Sequence, residues 1–424
     1  MIVVILAFFG LSFLLAANRP TSFVIFYVLA STKFLGFVDP AQFIVGGIEL
    51  GYFVLNIIAI FSIFFKKNWV ELPENSFGII LLITVMIVYG ILRPILNEFS
   101  SVKQAFIASK DVWNYAIFIY LIVYYDNLDL KVIISVIKWL GIYLAANYFV
   151  YLIVPNIIPP FYYNATHVRT FFPTYISLSI FLYLIEVKMF KLKDLKIYSL
   201  ILFQFLGIVL AGHSSLTIMT GGCIILYLFV FDENLALKSD VIIKFFGFLL
   251  FGISLALIFI NGLYDSIVSD VNAFINSEDL ALKTRDLYNK FRWDAINKQK
   301  VFGHGYIHQS SKFMNQFKLS GTSAYMERFT VIDSGYVDLL IKFGYLGASL
   351  IVIVLNKYFF LGFYPKYKNH ITLAMSSFLL QYILISYTWS VYTFIHGIVP
   401  AGLAFYIILM YKDINTLENE IKLI

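Results

Sequence analysis

The sequence contains little charge and a single cysteine. Only 13% of its 424 residues are charged, about half of the roughly 25% that is typical of soluble domains. Because Cys223 is the only cysteine and lies in an apolar stretch, a disulfide bond has no part in the fold. Alternating apolar and polar strands are also absent, which argues against an outer-membrane β-barrel.

Apolar stretches make up most of the chain. Hydrophobic residues account for 60% of it, and apolar runs near or above about 18 residues recur along its length, which predicts a polytopic helical membrane protein. We expect an all-α transmembrane bundle of about 12–14 spans that forms one integral membrane domain over 1–424. The apolar start, Met1 to Ala17, has no basic residues and is predicted to be a first span rather than a cleaved signal peptide. The predicted spans are 3–18, 21–38, 42–65, 77–96, 112–125, 132–154, 171–187, 196–212, 215–231, 242–260, 333–355, 369–387 and 391–411.

Lysine clusters predict how the chain is oriented. The positive-inside rule places the basic loops around Lys66 and Lys188, and the one with Lys357, Lys366 and Lys368, in the cytoplasm. The net charge of +6 reflects this orientation, so nucleic acid is not an expected partner. The intervening spans then put three loops on the outer face, at 97–111, 155–170 and 261–332.

The long loop 261–332 contains a pair of arginines at helical spacing. Arg285 and Arg292 are seven residues apart and share one face if the segment is helical. Each guanidinium is a permanently charged fork of donors that matches phosphate oxygens, so two of them on one face suit a diphosphate. The alternative interpretation is that they pair with Asp286 and Asp294 or lie on a solvated face.

Other cations lie at predicted membrane boundaries. Arg169 follows His167 at the mouth of a span, Arg93 precedes Pro94, and Arg328 lies late in the long loop. For Arg169 and Arg93, charge at the membrane boundary is costly and tends to be functional. Snorkelling to lipid headgroups is the alternative for Arg169 and Arg93.

A glycine-histidine segment in the same loop predicts a tight turn. His304 lies between Gly303 and Gly305, and glycine permits sharp backbone turns. The segment lacks a GxGxxG or Walker pattern, so a nucleotide site is not indicated. His304 and His308 lack acidic or cysteine partners at metal-binding spacing, so no metal is expected.

Three polar residues open the apolar span that follows the loop. Asp333 and Ser334 are suited to capping the helix, or Asp333 could accept a proton from a sugar hydroxyl. Asp338 lies deeper, where a carboxylate is costly unless it is paired or lines a cavity. Aromatic residues nearby are candidates for sugar stacking or for an interfacial aromatic belt: Trp293, Tyr306, Tyr325 and Tyr336.

In these residues the chain resembles the membrane O-antigen polymerases (Wzy-type) and O-antigen ligases. That family has His, then Asn, Ser or Gln, nine residues, and G-x-x-(Gly/Thr/Tyr). Here Asp333-Ser334 precedes Gly344-Tyr345-Leu346-Gly347 at that spacing. The chain departs from the pattern at Asp333, where the family has histidine, and at Ser215-Leu216, where it often has Ser-Arg.

The arginines add to this resemblance, which covers roughly residues 165–350. Arg292 and Gly303 are similar to the R-x10-G pattern of the polymerase loop. Arg285, ahead of Gly303-His304-Gly305, is similar to the arginine of the family's "R…W…G-x-G" segment. Arg169 resembles the arginine of the other catalytic outer loop.

The resemblance implies a GT-C-like bundle in the bacterial inner membrane, with a periplasmic active site under the long loop. It implies a glycosyltransferase that moves a glycan from an undecaprenyl diphosphate donor to a lipid-linked repeat unit, with inversion and with neither metal nor cofactor. Arginines would stabilise the departing diphosphate, and Asp333 would act as the base if burial raised its pKa. The implied catalytic residues are Asp333, Arg285 and Arg292, and the implied substrate-binding residues are Arg169, His167, Arg328, His304, Ser334 and Tyr336.

Alternative functions remain open at this point. An O-antigen ligase would use the same donor and transfer to lipid A-core, although the absent motif histidine argues against it. A flippase for lipid-linked oligosaccharides would be expected to show internal repeats and mid-membrane charge, whereas charge here concentrates in one loop. A purely structural membrane subunit would leave the arginine spacing unexplained. The expected partners are membrane lipid, the lipid-linked oligosaccharide and a chain-length regulator.

Overall fold

A computed structural model describes most of the chain, and within it the protein is helical. The described residues are 2–37, 44–45, 48–62, 64, 66, 72–73, 76–154, 162–163, 168–169, 173–189, 195–230, 292–316, 334–386, 390–391 and 394–412. Two short antiparallel strand pairs interrupt the helices, Ile44–Val45 with Ile48–Glu49 and Tyr162–Tyr163 with Val168–Arg169. The predicted helical class is therefore confirmed for this part of the chain, and the predicted span 242–260 lies outside it.

The helices occur in the order predicted from the apolar runs. Their bounds are α1 Ile2–Asn18, α2 Pro20–Ser31, α3 Leu50–Ser62, α4 Ser76–Leu96, α5 Val102–Ala108, α6 Ala116–Val123, α7 Leu130–Ile153, α8 Thr174–Met189, α9 Leu195–Leu210, α10 Ser214–Val230, α11 Gly335–Phe359, α12 His370–Ile385 and α13 Ile395–Tyr411. A further helical turn covers 292–298.

Only some of these helices are long enough to cross a membrane. In the described residues α4, α7 and α11 meet the length and hydropathy requirement, and the pair Val102–Ala108 and Val112–Val123, bent by 58°, makes a fourth if it is one span. The other apolar helices have 10–17 residues, fewer than the roughly 20 that a bilayer requires. The described residues thus contain three or four candidate spans, against about 12–14 predicted for the whole chain.

Within the described residues, the shortness of some helices has a local cause. An apolar run fixes where a helix can lie, but backbone breaks set its length. Pro20 begins α2, and the chain leaves that helix at Lys33, whose φ of 54° is left-handed. Apolar residues beyond such a break do not extend the helix.

Helices α8, α12 and α13 form the centre of the fold, with nearly all of their side chains buried. Helices that are apolar on all sides are typical of such a position. A buried polar group joins three helices here, because Gln381 Oε1 accepts hydrogen bonds from Ser177 Oγ at 2.9 Å and Thr220 Oγ1 at 3.0 Å. Helices α4 and α11 pack beside each other, and the segment 292–316 contacts both.

Candidate functional site

Helix α11 is interrupted at Gly344. This residue has φ 63° and ψ −173°, a conformation open essentially to glycine alone. In a continuous helix the Tyr345 and Leu346 N–H groups would donate to the carbonyls of Ile341 and Lys342. The break leaves these four backbone groups in need of other partners.

Residues 300–306, which we call the docked loop, supply those partners. Tyr345 N–H donates to Lys300 O at 2.7 Å, and Leu346 N–H donates to Val301 O at 3.1 Å. In return the N–H groups of His304 and Gly305 donate to Ile341 O and Lys342 O, both at 2.8 Å. Each hydrogen bond lost from the helix is therefore replaced by two bonds to the loop.

Helix α4 holds the other side of the docked loop through an interruption of its own. Pro94 has no N–H, so the carbonyl of Gly90 loses its helical donor. The N–H of Tyr306 donates to Gly90 O at 2.8 Å. A Cβ atom on Gly90 would lie 2.1 Å from the Tyr306 ring, so this contact requires glycine.

Side chains of α4 reinforce the attachment. Arg93 Nε donates to Gly303 O at 3.3 Å, and its Nη2 donates to Gln299 Oε1 at 3.1 Å. Its guanidinium also lies 5.8 Å from the centroid of the Phe302 ring. The Tyr89 hydroxyl donates to Phe302 O at 2.5 Å. Arg93 thus binds the docked loop. Snorkelling to lipid headgroups was the alternative that its position suggested.

The two motif glycines meet where loop and helix join. Gly303 has φ 66°, and a Cβ there would lie 2.4 Å from the backbone nitrogen of Gly344. A Cβ on Gly344 would lie 2.4 Å from Val301 O and 2.6 Å from Gly303 N. The backbones are therefore closer than any side chain at either position would permit.

His304 links this loop to the helical turn 292–298. Its ring is 1% exposed, packs against Phe313 with centroids 4.5 Å apart, and its Nε2 bonds Ala295 O at 2.8 Å. A carbonyl can only accept, so Nε2 carries the proton. Burial lowers the pKa of His304, and nearby Arg93 lowers it further. The hydrogen bond from the His304 ring thereby attaches the docked loop to the turn that begins with Arg292.

A cleft opens between α4, α11 and the turn before α6. Its enclosed volume is about 30 Å³, enough for about two water molecules. Apolar side chains of Met86, Leu339 and Phe343 form part of the wall. The polar lining consists of Asp111, Tyr115, Tyr306, Asp338 and Lys342.

Two of the charged side chains that line this cleft, Asp338 and Lys342, form an ion pair. Lys342 Nζ lies 2.7 Å from Asp338 Oδ2, with the Asp338 side chain 4% exposed and that of Lys342 20% exposed. The ammonium also lies 5.4 Å from the centroid of the Tyr306 ring. Burial, followed by the charge of Asp338, raises the pKa of Tyr306 well above its ordinary value, so its hydroxyl remains a donor. Asp338 is thus both paired and exposed to a cavity, the two conditions under which its depth is tolerable.

The predicted site residues that the structure describes do not lie together in one site. Arg292 is 3% exposed, so it lies on no solvated face. His304 is buried away from the cleft lining. Ser334 stands at the N-cap of α11 without a side-chain cap bond, and the Gly335 N–H donates instead to Ser386 O at 2.8 Å. The Tyr336 hydroxyl donates to Ile383 O at 2.6 Å, which ties α11 to α12.

The remaining predictions cannot be placed in the same way. Asp333, Arg285, Arg328 and His167 lie outside the described residues. The backbone of Arg169 pairs with Tyr162 in the second strand pair. Among the residues that the structure does describe, no three His, Cys, Asp or Glu side chains are placed to share a metal ion.

Sequence reasoning missed Lys342 and the interplay of Gly90 with Pro94. Both had local signals. Asp338 and Lys342 are four residues apart, which places them on one helix face, and Gly90 stands four residues before Pro94, at the carbonyl that the proline leaves unpaired. The chain matches no family model, no curated protein and no solved structure in the three comparisons made.

Proposed function

We propose that this protein is a polysaccharide repeat-unit polymerase of the O-antigen type, in the bacterial inner membrane with its active site facing the periplasm. In the proposed reaction a hydroxyl oxygen of the lipid-linked acceptor bonds to the anomeric carbon of the donor glycan. The bond from that carbon to undecaprenyl diphosphate breaks, and the diphosphate leaves with the electron pair. Attack from the opposite side inverts the anomeric configuration.

The observation that carries this proposal is the contact between Gly303 and Gly344. The resemblance rests on one glycine spaced from Arg292 and another spaced from Asp333-Ser334, and these two glycines touch through their backbones. The arginine-bearing segment is thereby attached to the helix that begins just after Asp333. A clamp for the leaving group and a base for the acceptor would have to be held in one frame, because catalysis depends on their mutual positions.

The proposed roles follow from charge. Arg292 and Arg285 stabilise the negative charge that builds on the departing diphosphate, and Asp333 takes the hydroxyl proton. Because the Arg292 side chain is 3% exposed, donor binding has to uncover it before its guanidinium can contact phosphate. The turn that carries it also packs through Ala295 and Ile296 against apolar side chains, so this movement has to break apolar contacts as well as hydrogen bonds.

The test is glycan laddering in a strain that lacks the chromosomal gene and carries plasmid copies. Arg292→Ala and Arg285→Ala should abolish the ladder while the protein stays in the membrane fraction. Lys298→Ala is the matched control for Arg292, because it removes an exposed cation from the same helical turn. Full ladders from both arginine variants would overturn the diphosphate clamp.

The deletion strain separates polymerase from ligase. A polymerase deletion keeps lipid A-core capped with a single repeat and loses long chains. Loss of every O-antigen unit from the core indicates a ligase and contradicts the proposal.

A flippase for lipid-linked oligosaccharides is the second candidate, and the break in α11 favours it. Interrupted helices near polar sites are common in transporters. Lipid-linked repeat units would then accumulate on the cytoplasmic face of the deletion strain. Formation of polymer by the purified protein from lipid-linked repeat units alone would exclude this function as a complete account.

A further inference from the structure

The ion pair in the cleft is placed differently from an ion pair that serves stability alone. Asp338 and Lys342 lie on one helix, both largely buried, yet both border the same cavity. A buried pair of this kind adds little stability over apolar residues of similar size. Ionisable groups at such depth usually face a polar path or a ligand.

The size of the cleft limits what can enter. A volume of about 30 Å³ holds about two water molecules, which is also the room that two neighbouring hydroxyl groups need. A whole sugar ring would remain at the mouth and insert one edge. Two of the three charged side chains in the lining, Asp111 and Asp338, are carboxylates, so a phosphate group is disfavoured by repulsion.

The lining matches hydroxyl groups in chemical type. A carboxylate accepts hydrogen bonds from hydroxyls, and an ammonium donates to hydroxyl oxygens. Asp338 fixes the direction of the Lys342 ammonium at 2.7 Å. The rings of Tyr306 and Phe343, with centroids 6.0 Å apart, offer apolar surface against which the carbon skeleton of a sugar can pack.

We infer that this cleft is a subsite for the hydroxyl edge of an uncharged sugar, in which Asp338 accepts from one hydroxyl and Lys342 donates to its neighbour. The identification of that sugar as the terminal residue of the lipid-linked acceptor rests on the proposed function. Recognition of the two hydroxyls rests on the cleft alone. The diphosphate of the same ligand then lies outside the cleft.

The test measures how much a sugar adds to the binding of a short prenyl diphosphate. The full-length protein in lipid nanodiscs is titrated with farnesyl diphosphate and with farnesyl diphosphate carrying glucose, galactose, mannose or N-acetylglucosamine. We expect at least one sugar to tighten binding by about tenfold or more, as hydrogen bonds to charged groups would. If none of the four sugars tightens binding, the subsite is refuted.

The decisive variant exchanges the two charges, Asp338→Lys with Lys342→Asp. It keeps an ion pair at i, i+4 but reverses donor and acceptor. The gain from the sugar, which is the ratio of the affinities with and without it, should therefore fall to about onefold, while bare farnesyl diphosphate binds as before. A swapped protein that keeps the full gain would show that the pair is only structural. If the swap does not fold, Asp338→Leu with Lys342→Met removes both charges at similar size and should lose the same gain.

The chain offers a matched control in the ion pair between Lys138 of α7 and Glu186 of α8. This pair is also partly buried but does not line the cleft, so exchanging its charges should leave the gain from the sugar unchanged. Failure of the wild type to bind any prenyl diphosphate would count against the proposed function and not against the cleft. Methyl glycosides of the same four sugars, observed by saturation-transfer NMR, then test the subsite by itself, and no transfer to any of them refutes it.

Discussion

The N–H of Tyr306 donates to the carbonyl oxygen of Gly90 at 2.8 Å, in the place of the N–H that Pro94 lacks. A proline inside a helix removes the hydrogen bond to the carbonyl four residues before it. Here the docked loop donates a hydrogen bond to the Gly90 carbonyl, and the same loop makes four backbone hydrogen bonds with the break in α11. The docked loop thus supplies hydrogen-bond partners at the interruptions of both helices, α4 and α11.

Gly90→Ala tests this relationship. The added Cβ would stand 2.1 Å from the Tyr306 ring. The Tyr306 residue must therefore move, and the hydrogen bond from its backbone N–H to Gly90 O is lost. We expect destabilisation by about 1–3 kcal/mol, read as a lower thermal midpoint in detergent. Gly221→Ala in α10 is the control, because its new Cβ meets Phe205 at 3.6 Å and alanine favours the helix by up to about 1 kcal/mol.

Gly344→Ala should release the docked loop from α11. Alanine is strained at φ 63° and its Cβ would overlap Val301 O at 2.4 Å, so we expect a cost of at least about 3 kcal/mol. Tryptic cleavage at Lys300 should become faster in the folded protein. Gly222→Ala, with no atom within 4 Å of the new Cβ, provides the comparison. Equal cleavage rates for the two variants would contradict the docking arrangement.

Arg93→Lys separates charge from geometry at the docked loop. Lysine keeps the positive charge but cannot bond Gly303 O and Gln299 Oε1 together as the guanidinium does. We expect hydrogen exchange of the 302–305 amides to rise by about three- to thirtyfold, measured by mass spectrometry. An equal rise for Arg93→Lys and Arg93→Ala indicates that geometry matters, whereas exchange unchanged in the lysine variant indicates charge alone.

His304 should make the stability of the protein depend on pH. Because burial lowers its pKa in the folded state, the unfolded chain takes up a proton first as pH falls below about 6.5. Stability is therefore complete above that pH and declines below it until the folded pKa is passed. The thermal midpoint of wild type should drop more between pH 7.5 and 5.5 than that of His304→Gln. His308→Gln, a half-buried neighbour whose pKa burial also lowers, should retain most of the wild-type drop.

Composition and periodicity alone determined that the chain is helical and where most helices lie, because apolar runs must be buried and the backbone inside them must satisfy its own hydrogen bonds. They gave the positions of α4, α7 and α11 within a few residues and identified Asp338 as unusual, whereas Gly344 was singled out by the family resemblance and Gly303 by its place in a glycine-histidine turn and by that resemblance. Within the described residues they overstated the number of long helices, since length depends on where the backbone breaks.

Tertiary structure decided what the unusual residues do. Gly303 and Gly344 stand about 40 residues apart, and nothing local in either shows that their backbones pack together. For Arg93 the sequence left a functional role and lipid snorkelling open, and the loop that it binds reaches it from about 200 residues away. Asp338 was recognised as costly; its spacing of four from Lys342 allowed the ion pair, and only packing showed the cleft that both side chains line. The physical reason is that composition fixes which groups need partners, whereas the path of the chain fixes which partners they find.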